Sequence, residues 1–203
     1  MGAARGHGPA VARTTAVILA AGEARRFGAP KLLAPLEGRP LLQHVIDAAN
    51  ASACDDVIVV VGHGAPEVLA KVRLGRAVAA LNSAYANGQS TSLRAGLRRA
   101  RGSDAAVVLL GDQPRVTARL IDALLDRQRD TGASAVICAR DGHRSPPTLL
   151  RRDLWPAIDA LTGDVGAREL LRDRDDVAVV EVTPDLGGLD DVDRPSDLDA
   201  LGA

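Results

Sequence analysis

The sequence predicts an α/β fold with a doubly wound, mostly parallel sheet, and three observations carry that prediction. Short apolar runs recur along the chain, several of them apolar on both faces, as strands covered by helices on each side must be. Amphipathic segments of helical period lie between them. The alternation continues from one end to the other, which favours right-handed βαβ crossovers.

The expected strands are Ala16–Ala20, Val57–Val61, Ala77–Leu81, Ala105–Leu110, Ala133–Ala139 and Val177–Val182. After the first strand, Pro40 suits the first position of a helix whose Leu41, Leu42, Val45, Ile46 and Ala49 share one face. A later helix takes Thr117 as its N-cap and presents Leu120, Ile121, Leu124 and Leu125. The 203 residues suit one domain, expected over 15–203 behind a disordered leader at 1–14.

Bulk chemistry narrows the function. Lys and Arg number 25 against 26 Asp and Glu, so no bulk charge recruits nucleic acid or an acidic membrane. One Phe, one Tyr and one Trp give no stacking platform for single strands. No apolar run approaches the roughly 20 residues of a membrane span, and residues 1–14 lack the apolar centre of a secretory signal. Cys54 and Cys138 share no short spacing and read as buried thiols of a reducing cytoplasm.

Open parallel sheets bind ligands where strand carboxyl ends meet their loops. The first strand runs into such a loop, Leu19-Ala20-Ala21-Gly22 followed by Arg26, Phe27, Gly28 and Lys31. Small residues let backbone N–H groups approach an anion, while Arg26 offers a donor fork and Lys31 a mobile point charge. The chain has two lysines, and Lys31 stands in this loop. It is neither a Walker A loop nor a G-x-G-x-x-G fingerprint.

Two acidic stretches follow. Gly111-Asp112-Gln113-Pro114 puts a carboxylate on a short stub after a buried strand, where a magnesium ligand belongs. In Asp190-Asp191-Val192-Asp193-Arg194-Pro195, Asp193 suits either a helix N-cap or a metal ligand. Asn82 to Leu93 opens a helix with amides and hydroxyls, including Gly88, Ser90 and Ser92, and His63 follows the second strand between two glycines. No Ser or Cys partner is spaced for triad chemistry with His63.

Taken in order, these segments resemble the MobA-like nucleotidyltransferases. Leu19-Ala-Ala-Gly with Arg26, Gly28 and Lys31 is similar to the family's L-A-[AG]-G-x-S-x-R-[ML]-G-x-x-K, with Ala24 in place of Ser and Phe27 in place of Met or Leu. Gly111–Pro114 and Asp191–Leu198 resemble its G-D-[MQ]-P and D-[IV]-D-T-P-E-D-L motifs. The resemblance implies a Rossmann-like nucleotidyltransferase with Mg²⁺ on Asp112 and Asp193. Arg26, Lys31 and Asp112 would be catalytic. Leu19, Ala20, Ala21, Gly22, Gly28, His63, Gly88, Ser90 and Ser92 would hold the nucleotide.

Gly142-His-Arg144-Ser145-Pro-Pro and Leu161-Thr-Gly-Asp164-Val-Gly-Ala-Arg168 look like acceptor motifs of the molybdenum cofactor branch, with Ser145 where Gly is usual. Arg144, Asp164 and Arg168 would then meet a small phosphate-bearing acceptor. Ala21 is similar to the cytidylyl-transferring members, which implies CTP, molybdopterin and hand-over to a molybdenum hydroxylase or its chaperone. Two alternatives accompany it: an NAD(P)H-dependent oxidoreductase of the nicotine-blue type, and a guanylyltransferase with another acceptor.

Overall fold

The structure is a computed structural model that describes residues 11–23, 27 and 30–202. Its strands are β1 (Thr14–Ala20), the short β2 (Pro35–Leu36) and β3 (Arg39–Pro40), then β4 (Asp56–Val61), β5 (Val78–Leu81), β6 (Ala105–Leu110), β7 (Ala135–Arg140), β8 (His143–Arg151) and β9 (Val177–Glu181). Its helices are α1 (Leu41–Ala51), α2 (Ala65–Lys71), α3 (Gln89–Arg99), α4 (Ala118–Thr131), α5 (Trp155–Asp159), α6 (Ala167–Leu171) and α7 (Pro195–Ala200). No described helix is long and apolar enough to cross a membrane.

Seven strands form one sheet in the order β5-β4-β1-β6-β8-β7-β9, while β2 and β3 make a separate ribbon. The sheet is mostly parallel; β8 alone runs antiparallel to both of its neighbours. Alternating side chains of each strand supply two cores. Ala16, Ile18, Val57, Val59, Val107 and Leu109 face α1, α2 and α4. Val17, Ile58, Val60, Ala106 and Val108 face α3, α5 and α6. Helices on both faces explain why the strands read as continuous apolar runs.

Helix ends follow simple chemistry. Thr117 caps α4, accepting a hydrogen bond from the Leu120 N–H at 3.2 Å. Pro40 stands one place earlier than expected: it closes β3 and precedes α1, its ψ of 142° being extended rather than helical. Residues 12–14, expected in the leader, belong to the described fold. Ala12 and Arg13 donate backbone N–H groups to Asp104 at 3.0 Å, Arg13 pairs with Asp56 at 2.7 Å, and Thr14 already belongs to β1. Met1–Ala10 lie outside the described residues. Cys54 and Cys138 are free and buried, and burial pushes their thiols up to about 11 and about 12.

Two features of this topology position the site. Strands β4 and β5 extend the sheet to one side of β1 and β6 to the other, so the carboxyl ends of β1 and β6 form a switch point. Because β8 runs backwards beside β6, its first residues arrive at that same edge, where the Gln113 amide reaches Ser145 Oγ at 3.3 Å.

Candidate active site

A cleft of about 410 Å³ opens at the switch point, walled by Leu19, Ala20, Ala21 and Gly22 on one side and by Tyr85, Gly88, Gln89 and Ser92 on another. Lys31, Asp112, Glu23 and Asp164 bring charge to it. Gly111 precedes Asp112 for a steric reason. A Cβ there would lie 3.1 Å from the Leu19 carbonyl oxygen and 3.2 Å from a Leu42 methyl, so a side chain would push β6 away from β1.

The acidic residues converge. Lys31 Nζ donates to Asp112 Oδ2 at 2.6 Å and to Asp193 Oδ1 at 3.1 Å, joining segments 81 and 162 residues away. One backbone and one side-chain bond set the meeting: the Val192 N–H donates to the Asp112 carbonyl at 3.0 Å, and the Gln113 side-chain amide donates to the Leu189 carbonyl at 3.0 Å. Val192 is fully buried with Leu36 and Leu41, and Phe27 packs against the same cluster, so the glycine loop and the acidic stretch share one apolar anchor. Asp193 is no N-cap. Arg194 holds the position before α7, and Asp197 accepts the N–H groups of Asp193 and Arg194 at 2.8 Å each, which leaves the Asp193 carboxylate to Lys31.

Charge is concentrated here. The Lys31 side chain is 12% exposed, and burial by itself would lower its ammonium; the charge and hydrogen bond of Asp112, then those of Asp193, outweigh that and raise it. Asp191 is pushed up to about 6, first by desolvation of its carboxyl and then by Asp112 and Asp193. Two carboxylates that already share one cationic partner suit Mg²⁺, which takes one or two carboxylates and completes its shell with phosphate oxygens and water. Among the described residues no cluster of three His, Cys, Asp or Glu side chains is preformed.

Other expected residues fall less simply. Leu19 to Gly22, Gly88 and Ser92 line the cleft, whereas Ser90 is fully buried with its Oγ unpartnered. Helical period explains the difference: α3 begins at Gln89, so Gln89 and Ser92 share a face that Ser90 leaves. His63 is exposed and does not wall the cleft; its ring meets Tyr85 edge-on at 5.7 Å, and its backbone N–H donates to the Ala21 carbonyl at 3.2 Å. Asp164, expected on the acceptor side, lines the same cleft as Leu19 to Gly22, and its Oδ1 accepts the Gln89 N–H at 3.3 Å. Beside it the Gly163 carbonyl accepts the Ser90 N–H at 3.1 Å. Arg144 and Arg168 are exposed and do not wall the cleft. Arg26 and Gly28 lie outside the described residues. Tyr85, Gln89 and Gln113 fall inside segments that carry the family resemblance but were not named as site residues, although helical spacing from Ser92 points to Gln89.

The sequence model of the MobA-like NTP transferase domain matches residues 16–178, which include the glycine loop and Asp112. The chain belongs to that family. The purine catabolism protein PucB of Bacillus subtilis is 32% identical over 196 residues, covering 91% of this chain and 94% of PucB. Nicotine blue oxidoreductase of Paenarthrobacter nicotinovorans is 30% identical over 167 residues, covering 79% of this chain and 82% of that protein. A crystal structure of Rv0371C from Mycobacterium tuberculosis in complex with manganese has a TM-score of 0.70 at 26% identity, covering 84% of this chain and 88% of the other. The chain is thus a nucleotidyltransferase of the MobA-like type.

Proposed function

We propose that this protein transfers a cytidylyl group from CTP to a small phosphate-bearing acceptor, with molybdopterin as the acceptor of choice and Mg²⁺ as the cofactor. The observation that carries the reading is the convergence of Asp112 and Asp193 on Lys31 at the mouth of a cleft lined by the first-strand loop. An acceptor phosphate oxygen forms a bond to the α-phosphorus of CTP while the bridging bond to the β-phosphate breaks, and pyrophosphate leaves with the electron pair. Lys31, Arg26 and the N–H groups of the glycine loop stabilise charge on the departing pyrophosphate. Asp112 and Asp193 hold the metal, which supplies charge neutralisation and a template for phosphate oxygens.

In this reading, Gly88, Gln89, Ser92 and Asp164 fix the nucleoside, with Tyr85 held edge-on by His63. Arg144, at the start of the reversed strand, and Arg168 attract the anionic acceptor from outside the cleft. The nicotine-blue relative keeps a second reading in view, hydride transfer from NAD(P)H. That reading leaves the acid pair without a task, and the G-x-G-x-x-G fingerprint of dinucleotide sites is absent from the chain.

A thermal-shift series separates the readings. CTP with Mg²⁺ should stabilise the protein more than GTP with Mg²⁺, and Asp112→Ala should abolish the effect. Stabilisation by NADPH without metal, and none by any triphosphate, would sink the transferase reading. Transfer itself is checked by pyrophosphate release from CTP in the presence of molybdopterin.

A further inference from the structure

The position of Lys31 carries a consequence for the order in which ligands enter. Its ammonium stands on the two acids that are proposed to hold the metal, with the shorter bond to Asp112. We infer that Lys31 is a resident counter-ion that keeps the Asp112–Asp193 pair closed to divalent cations until the phosphates of a nucleotide draw its ammonium away. The inference rests on the nucleotidyltransferase reading for the identity of the nucleotide. The occupation of the acid pair by Lys31 stands on the distances alone.

With the ammonium on Asp112 Oδ2 and Asp193 Oδ1, a divalent cation on the same pair of carboxylates would meet a positive charge at close range, and that repulsion weakens its binding. The stem of Lys31 can swing without moving the backbone, because its Cα is fixed. Residues 31–33 form a single turn closed by the Leu33 N–H to the Pro30 carbonyl at 2.8 Å, and Leu32 and Leu33 pack on the core. The other destination lies in the same cleft, since Lys31 closes the glycine loop whose Gly22 and Glu23 line it.

Exchange of one cation for another makes metal and nucleotide binding reciprocal: each raises the affinity of the other by the same factor. The protein without nucleotide should therefore hold metal poorly despite two convergent acids.

Binding of Mn²⁺ alone, measured by electron paramagnetic resonance or calorimetry on the full chain with and without CTP, tests this. In Lys31→Met and Lys31→Gln, checked for folding by circular dichroism, affinity for Mn²⁺ without nucleotide should rise about five- to hundredfold. Affinity for CTP should fall in the same variants, and Asp112→Ala placed in the Lys31→Met background should remove the gain. Unchanged or weaker nucleotide-free Mn²⁺ binding in the neutral variants overturns the inference. If the wild type still binds CTP with Mn²⁺, the transferase reading survives that result. A gain in Mn²⁺ affinity in a protein that binds no triphosphate has the opposite meaning: it supports the counter-ion and sinks the transferase reading. A second measurement needs no variant. The chain has two lysines, so selective ¹⁵N labelling gives two side-chain signals. The Lys31 signal should move on addition of CTP without metal; a signal that stays still while CTP binds overturns the inference.

Discussion

Val192 gives its backbone N–H to the carbonyl of Asp112 at 3.0 Å, and through that bond the last loop of the chain is stitched to the end of β6. Asp193 follows immediately. Its distance from Asp112 is therefore a property of backbone pairing, with a buried Val192 side chain behind it.

Loss of the second acid should be felt in catalysis and hardly in folding. The Asp193 side chain is 63% exposed, so Asp193→Asn should leave the melting temperature nearly unchanged. Metal-dependent transfer should fall about a hundredfold. Asp197→Ala, which frees the Asp193 and Arg194 N–H groups, should weaken Mg²⁺ about 10- to 100-fold through misplacement of Asp193. Magnesium titrations of the initial rate measure both.

Asp164 sits against Gln89, so its removal should act on the nucleotide. Asp164→Ala is expected to raise KM for CTP several-fold and leave KM for the acceptor unchanged. The reverse pattern would return this residue to the acceptor side.

Gly88 combines a φ of +100° with backbone contact to Gly163, whose carbonyl carbon would lie 2.2 Å from an added Cβ. Gly88→Ala should cost about 1–3 kcal/mol from the conformation alone. In a chain of this size each kcal/mol lowers the melting temperature by about 2–4 °C. CTP affinity should fall with it, as the 163–164 segment is forced off α3; thermal melts with and without CTP record both effects.

Asp191 supplies a pH dependence. Its folded value, about 6, lies above the ordinary carboxylate value of 3.8, so the folded state keeps its proton where the unfolded chain has lost it. Stability from this group is full below the unfolded value and is lost as pH rises through the window between about 4 and 6. Asp191→Asn should accordingly raise the melting temperature at pH 7 and flatten the pH–stability curve across that window.

The six expected strands all formed, and the interior runs such as Ala105–Leu110 are buried on both faces, although the edge strand β5 is largely exposed. β8 was not foreseen as a strand. His143-Arg-Ser-Pro-Pro opens polar and carries two prolines, which local chemistry reads as a loop, and only pairing with β6 and β7 draws it into the sheet. Within the site, Lys31, Asp112 and Asp193 were legible as residue types in their local settings. Their meeting followed only from the family resemblance and not from the residues themselves, because it depends on the Val192 bond across the fold. Ser90 and Asp164 show the complementary limit: neither the phase of a helix that starts at Gln89 nor the neighbour of a loop 75 residues away is written in a motif.

The near absence of aromatic rings leaves the molecule with its own optical labels. The lone tyrosine, Tyr85, is part of the cleft wall, and the lone tryptophan, Trp155, donates to the Leu150 carbonyl at 3.3 Å at the start of α5, the helix leading into the 161–166 segment. Phenol absorbance can thus follow what enters the cleft while indole emission follows that segment, two separable signals from an unmodified chain.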